Sequence, residues 1–168
     1  MGKKSVRKDK NIYQICREEM ELTREKASEL LETISADRIE KIESGKSLPH
    51  PDEVVRMSDC YKTPNLCNQF CAKECPIGQE YVPEITMKDL SQITLEMLAS
   101  LNSVEKKKDR LIEIVADGKI DEDEYKDFVT IQDELEKISL AVETLQLWVE
   151  KTIDENGIDP EKLAAARL

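Results

Sequence analysis

The stretch LTREKASELLETISADRIEKIESGKSLP, residues 22–49, decides the fold. Thr23 has a hydroxyl suited to capping a helix, and Glu25 follows where the first turn carries partial positive charge. Leu30 and Leu31 close that helix. Ser35 caps the next one, in which Ile39 and Ile42 are the buried pair, and Ser44-Gly45 ends it with the residue that best tolerates a left-handed backbone. Only Glu32-Thr33 and Ile34 separate the two. Upstream, Ile12, Ile15 and Cys16 share one face of a further helix. Downstream, Pro49-His50-Pro51-Asp52 starts a helix carrying Val54, Val55 and Met57, and Thr63-Pro64 starts a fifth. Residues 11–78 thus read as five short, tightly punctuated helices.

Composition agrees and narrows the class. The chain has 168 residues with only 4% aromatics, 5 Gly and 6 Pro, which argues against a β-sandwich or barrel and for helices. No apolar run approaches the roughly 18 residues of a membrane span. The start, MGKKSVRKDK, leads into no apolar stretch and does not read as a secretory signal. A cytoplasmic, reducing setting is expected, with the five cysteines free of structural disulfides. Net charge is -11, yet it is divided: residues 1–85 carry 14 basic and 16 acidic groups, residues 86–168 carry 11 and 20. The acidity belongs to the second half, and the first ten residues form a basic tail.

PIGQEYVPEIT, with Pro76, Gly78 and Pro83, reads as a break, so 79–85 is expected to be a linker. Beyond it, Thr86 and Asp89 resemble a capping box. An apolar stripe follows: Leu90, Ile93, Met97, Leu101, Val104, Leu111 and Val115. Asp117-Gly118 stops this helix and Asp121 can cap the next. There Phe128, Ile131, Leu135, Ile138, Val142, Leu145 and Val149 repeat at threes and fours, with Trp148 beside them. The expectation is all-α: a five-helix domain plus a long antiparallel, coiled-coil-like hairpin over 86–157, then a short helix or tail over 158–168. Leu95, Leu98, Ile112, Leu140 and Leu147 widen the stripe beyond what two helices cover. A homodimer forming a four-helix bundle, through Phe128, Ile131, Leu135, Ile138, Val142, Leu145 and Trp148, is expected. The alternative is a stripe packed back on the N-terminal domain.

LTREKASELL, ISADRIEKIESGKSLP and PDEVVRMSDCY together resemble the Cro/cI-type (XRE-like) helix-turn-helix family over residues 11 to about 78, most specifically in Ile39–Pro49. Ser28 stands where that family has a small alanine, and the family's turn glycine is absent. The resemblance implies a transcriptional regulator that lays its second motif helix in the DNA major groove. Ser35, Ala36, Asp37 and Arg38 would face base edges, with Lys41 one turn on. Arg38 would pair with guanine O6 and N7, Lys41 or Lys46 would hold phosphates, and Arg24 would face another phosphate. A dimer would read half-sites about 34–36 Å apart. Asp37, Glu40 and Glu43 oppose this, since carboxylates repel phosphates. The competing expectation is a helix-turn-helix retained for protein contacts, antitoxin-like or scaffolding.

Three other patterns bear on chemistry. Cys67, Cys71 and Cys75 recur at fours; with Cys60 they would hold zinc if the chain curls at Cys75, and otherwise they fill a helix face. DGKIDEDE, residues 117–124, looks like half a calcium loop, but counting back puts Val115 at a ligand position, so a helix stop followed by a cap is the reading. One histidine, His50, sits between prolines, and no nucleophile, phosphate-loop or metalloprotease motif is present. An enzyme is not expected.

Overall fold

The computed structural model describes residues 10–155 and 157–166, so most of the basic tail lies outside the described residues. Among them are nine helices: α1 (Ile12–Glu19), α2 (Arg24–Leu31), α3 (Ala36–Glu43), α4 (Pro51–Cys60), α5 (Asn65–Lys73), α6 (Pro76–Tyr81), α7 (Leu90–Ile114), α8 (Tyr125–Asp154) and α9 (Pro160–Ala165). Among the described residues no helix is long and apolar enough to cross a membrane. The chain divides into two compact units, one comprising Met1–Glu84 with Glu150–Leu168 and the other Ile85–Val149. Residues from Glu150 on, expected in the hairpin and a tail, group with the N-terminal unit, where Asp154 lies 3.6 Å from Lys62.

The first unit is built by its caps. Asn11 accepts the Gln14 amide, Thr23 the Lys26 amide and Ser35 the Arg38 amide, each satisfying a helix N–H that has no partner within its own helix. Glu53 returns a carboxylate to the His50 amide at 2.7 Å, which fixes the start of α4 behind Pro51. At the end of α3, Gly45 (φ 71) lets the Lys46 amide reach the Lys41 carbonyl at 2.9 Å. The core joins Tyr13, Cys16, Leu31, Ile34, Ile39, Ile42, Val54, Met57, Tyr61, Leu66 and Phe70.

Several sequence expectations are corrected here. The buried residues of α1 are Tyr13, Gln14, Cys16 and Arg17, a face that turns Ile15 outward. Leu30 and Val55 are likewise exposed, because Leu31 and Val54 take the inward positions. The small residue buried in α2 is Ala27, one position before Ser28. Thr63 does not cap α5 with its hydroxyl, which donates to the Tyr61 carbonyl. PIGQEY is a sixth helix rather than a break. Pro76 occupies its first turn, where a missing N–H costs nothing. Gly78 lies so near α5 that a Cβ there would sit 2.1 Å from the Cys71 carbonyl oxygen.

In the second unit, α7 and α8 would measure about 37 Å and 45 Å at 1.5 Å per residue. Asp89, not Thr86, caps α7. Gly118 (φ 75) lies in the turn, and Arg110 near the end of α7 donates to Asp127 near the start of α8 at 2.8 Å. The buried positions are Ile93, Ser100 and Ile114 in α7 and Ile131, Ala141, Thr144 and Leu147 in α8. Leu90, Leu101 and Val115, placed in the seam by their spacing, are exposed. In α8 the expected dimer seam divides: Ile131 is buried inside the unit, Phe128, Ile138, Leu145 and Trp148 are half-buried, and Leu135 and Val142 face outward.

Candidate nucleic-acid interface

The region that resembles a recognition motif is α2, the turn at 32–35 and α3. The turn is made without glycine. Glu32 takes φ 55 and ψ -45, and the Thr33 amide donates to the Leu31 carbonyl across it. That is a tight γ-turn in a strained sense for a residue carrying a Cβ. It delivers the chain to Ile34, which is buried, and to Ser35, which caps α3.

Two arginine–glutamate clamps hold α3. In the first, Glu43, with its side chain 1% exposed, accepts from Arg17 Nε at 2.5 Å and Nη2 at 3.0 Å, and from Arg24 Nε at 2.8 Å. Arg17 also donates to the Leu22 carbonyl. One buried carboxylate at the end of α3 thereby ties together α1, α2 and α3. Two guanidinium groups around it repay a desolvation cost that a lone carboxylate would not recover. In the second, Arg38 donates Nε to Glu53 Oε1 at 2.8 Å and Nη2 to Glu53 Oε2 at 2.7 Å, with Nη1 on Ser47 Oγ and Nη2 on the Leu48 carbonyl. The Arg38 hydrogen bonds hold the Glu53 carboxyl below its ordinary 4.5. The clamp's contribution is therefore complete above about pH 4.5 and is lost as the pH falls through the depressed value.

These clamps reassign three residues. Arg38, expected to read guanine, has its fork occupied within the protein by Glu53, Ser47 and the Leu48 carbonyl. Arg24, expected on a phosphate, is paired with Glu43. Glu43, expected to repel DNA, is buried. The physical reason is angular. At about 100° per residue, Arg38 lies on the flank of α3 that meets α4, about 100° from the buried direction set by Ile39, Ile42 and Glu43. Asp37 and Lys41 lie about 160° from it, on the outward face, and both are exposed. Lys46 lies 3.8 Å from Glu40 and Lys26 2.7 Å from Glu29, so Lys41 is the one cation of this segment outside an ion pair among the described residues. Ser35 is exposed and Ala36 half-buried at the start of α3. Sequence reasoning missed Arg17, Ser47 and Glu53, since partners 15 and 26 residues apart carry no periodic signal.

Comparison with family models, with curated proteins and with solved structures finds no significant match for this chain. The site rests on its own geometry.

The cysteines line one side of the first unit's core. Cys60, Cys67, Cys71 and Cys75 are partly buried and pack on the core beside the buried Cys16. The backbone does turn extended at Cys75, as Pro76 requires, but no group of three or more potential metal ligands gathers among the described residues. Burial pushes the Cys16, Cys60 and Cys67 thiols up.

Proposed function

We propose that the chain is a sequence-specific DNA-binding transcriptional regulator acting in the cytoplasm, with α3 as the reading helix. The observation that carries this is the arrangement of α3. Two internal clamps, one at the buried end of the helix and one on its Arg38 flank, fix it and leave Asp37 and Lys41 on a free outward face, with Ser35 at its exposed N-cap. A rigid helix with an open polar face is what major-groove reading requires. Lys41 supplies the direct contact and Lys46 a phosphate contact, while Arg24 and Arg38 position the helix. The near-neutral charge of residues 1–85 makes non-specific attraction weak, so specificity must come from base contacts. A homodimer through the second unit would present two such helices to a pseudo-palindromic operator.

Selection from a random duplex library at low salt tests this. The full chain is expected to enrich one discrete motif, with affinity falling steeply as salt rises and dropping on the order of tenfold in Lys41→Ala. Enrichment of no motif would sink the reading. Arg38→Ala is a poor probe, because it breaks the clamp to Glu53.

One observation favours a second reading, a protein-interaction module. Glu25, Glu29, Glu32, Asp37 and Glu40 crowd the exposed surface of the motif, and Leu30, Leu48 and Val55 are exposed on the same unit. Such a surface suits a basic, partly apolar protein partner.

A further inference from the structure

We propose that α3 reads a C·G base pair through the Asp37 carboxylate and a guanine one to two pairs along the groove through Lys41, an assignment that rests on the DNA-binding reading above. The outward face of α3 holds one acceptor and one donor. Asp37 and Lys41 stand four residues apart on the side of the helix opposite Ile39, Ile42 and Glu43, and neither makes an ion pair among the described residues. Arg38 and Glu40, on the two flanks, are occupied by Glu53 and Lys46.

A carboxylate can only accept. In the major groove the amino donors are cytosine N4 and adenine N6, and adenine places its N7 acceptor beside N6, where it repels a carboxylate. Cytosine N4 alone satisfies Asp37. Any other base leaves the carboxylate desolvated and unpaired against a polyanion, so the residue discriminates more than it attracts. The ammonium of Lys41 donates to guanine O6 and N7. Four residues advance about 6 Å along the helix, against about 3.4 Å per base-pair step, which places the two contacts one to two pairs apart.

The experiment is the same random-duplex selection run on the wild-type chain, Asp37→Asn and Asp37→Ala, each checked by circular dichroism for an unchanged fold. The wild-type motif is expected to hold a cytosine in each half-site. Asp37→Asn should convert that position to adenine, since a carboxamide pairs with adenine N6 and N7. Asp37→Ala should leave the position degenerate, with preference for the wild-type base down about 10- to 100-fold. A wild-type motif whose every position survives Asp37→Asn overturns this assignment and leaves the DNA-binding reading standing. A wild type that enriches no motif overturns both.

Discussion

The two units treat their apolar side chains in opposite ways. In the first, short helices meet at several angles, and every inward position of α1 to α5 finds a neighbour in one core. The outward face of α3 is left polar. In the second, two long helices bury a narrow set of residues, and Leu95 (69% exposed), Leu98, Leu101, Ile112, Leu135 and Val142 remain outside. A helix pair has one line of contact, whereas a cluster of short helices encloses a volume. The first unit therefore encloses a core and leaves scattered apolar side chains such as Leu48 and Ile77 outside, while the second leaves them along its two long helices, a surface of the kind that marks association.

Substitution in each unit can break that contrast. The largest effect is expected at Glu43. Glu43→Ala removes the buried carboxylate that Arg17 and Arg24 share and should cost about 3–5 kcal/mol, read as a fall in the denaturation midpoint. A loss below about 1 kcal/mol would show that the clamp does not organise the unit. Next comes the association of the second unit. Leu98→Glu combined with Leu135→Glu should leave the helical content of the full chain unchanged while light scattering reports half the wild-type mass. A wild type that is already monomeric would remove the homodimer. The smallest effect is a gain. Glu32→Gly relaxes the γ-turn between α2 and α3 and is expected to stabilise the chain by about 1 kcal/mol in chemical denaturation. A loss of stability would mean that the turn is not strained.

Local chemistry was legible at α2 and α3. Thr23, Ser35, Ser44 and Gly45 name the helix ends because capping depends on residues within four positions of one another. Ile39 and Ile42 declare the buried face for the same reason. The reading failed where a residue's role is set by a distant partner. Arg38 looked like a base reader because an arginine at the start of such a helix is chemically suited to guanine, and nothing nearby in the sequence announces Glu53. Glu43 looked like one acid in a mixed-charge run, and its burial depends on Arg17 arriving from α1. Gly78 looked like a helix breaker, whereas the close approach of Cys71 explains it as the residue that lets α6 lie against α5.

The sequence by itself determined that this protein is all-helical, that short capped helices precede two long ones, and where the motif helices begin and end. These follow from propensity, capping and periodicity, which act within a turn or two of the chain. Tertiary structure alone decided which charges are free. Of the cations from Arg24 to Lys46, packing commits Arg24 to Glu43 and Arg38 to Glu53, while Lys26 and Lys46 stand in exposed pairs and Lys41 in none among the described residues. The same packing decided which half of the α8 stripe turns inward. A charge or an apolar group acquires its role from what stands opposite it, and that neighbour is chosen by the fold.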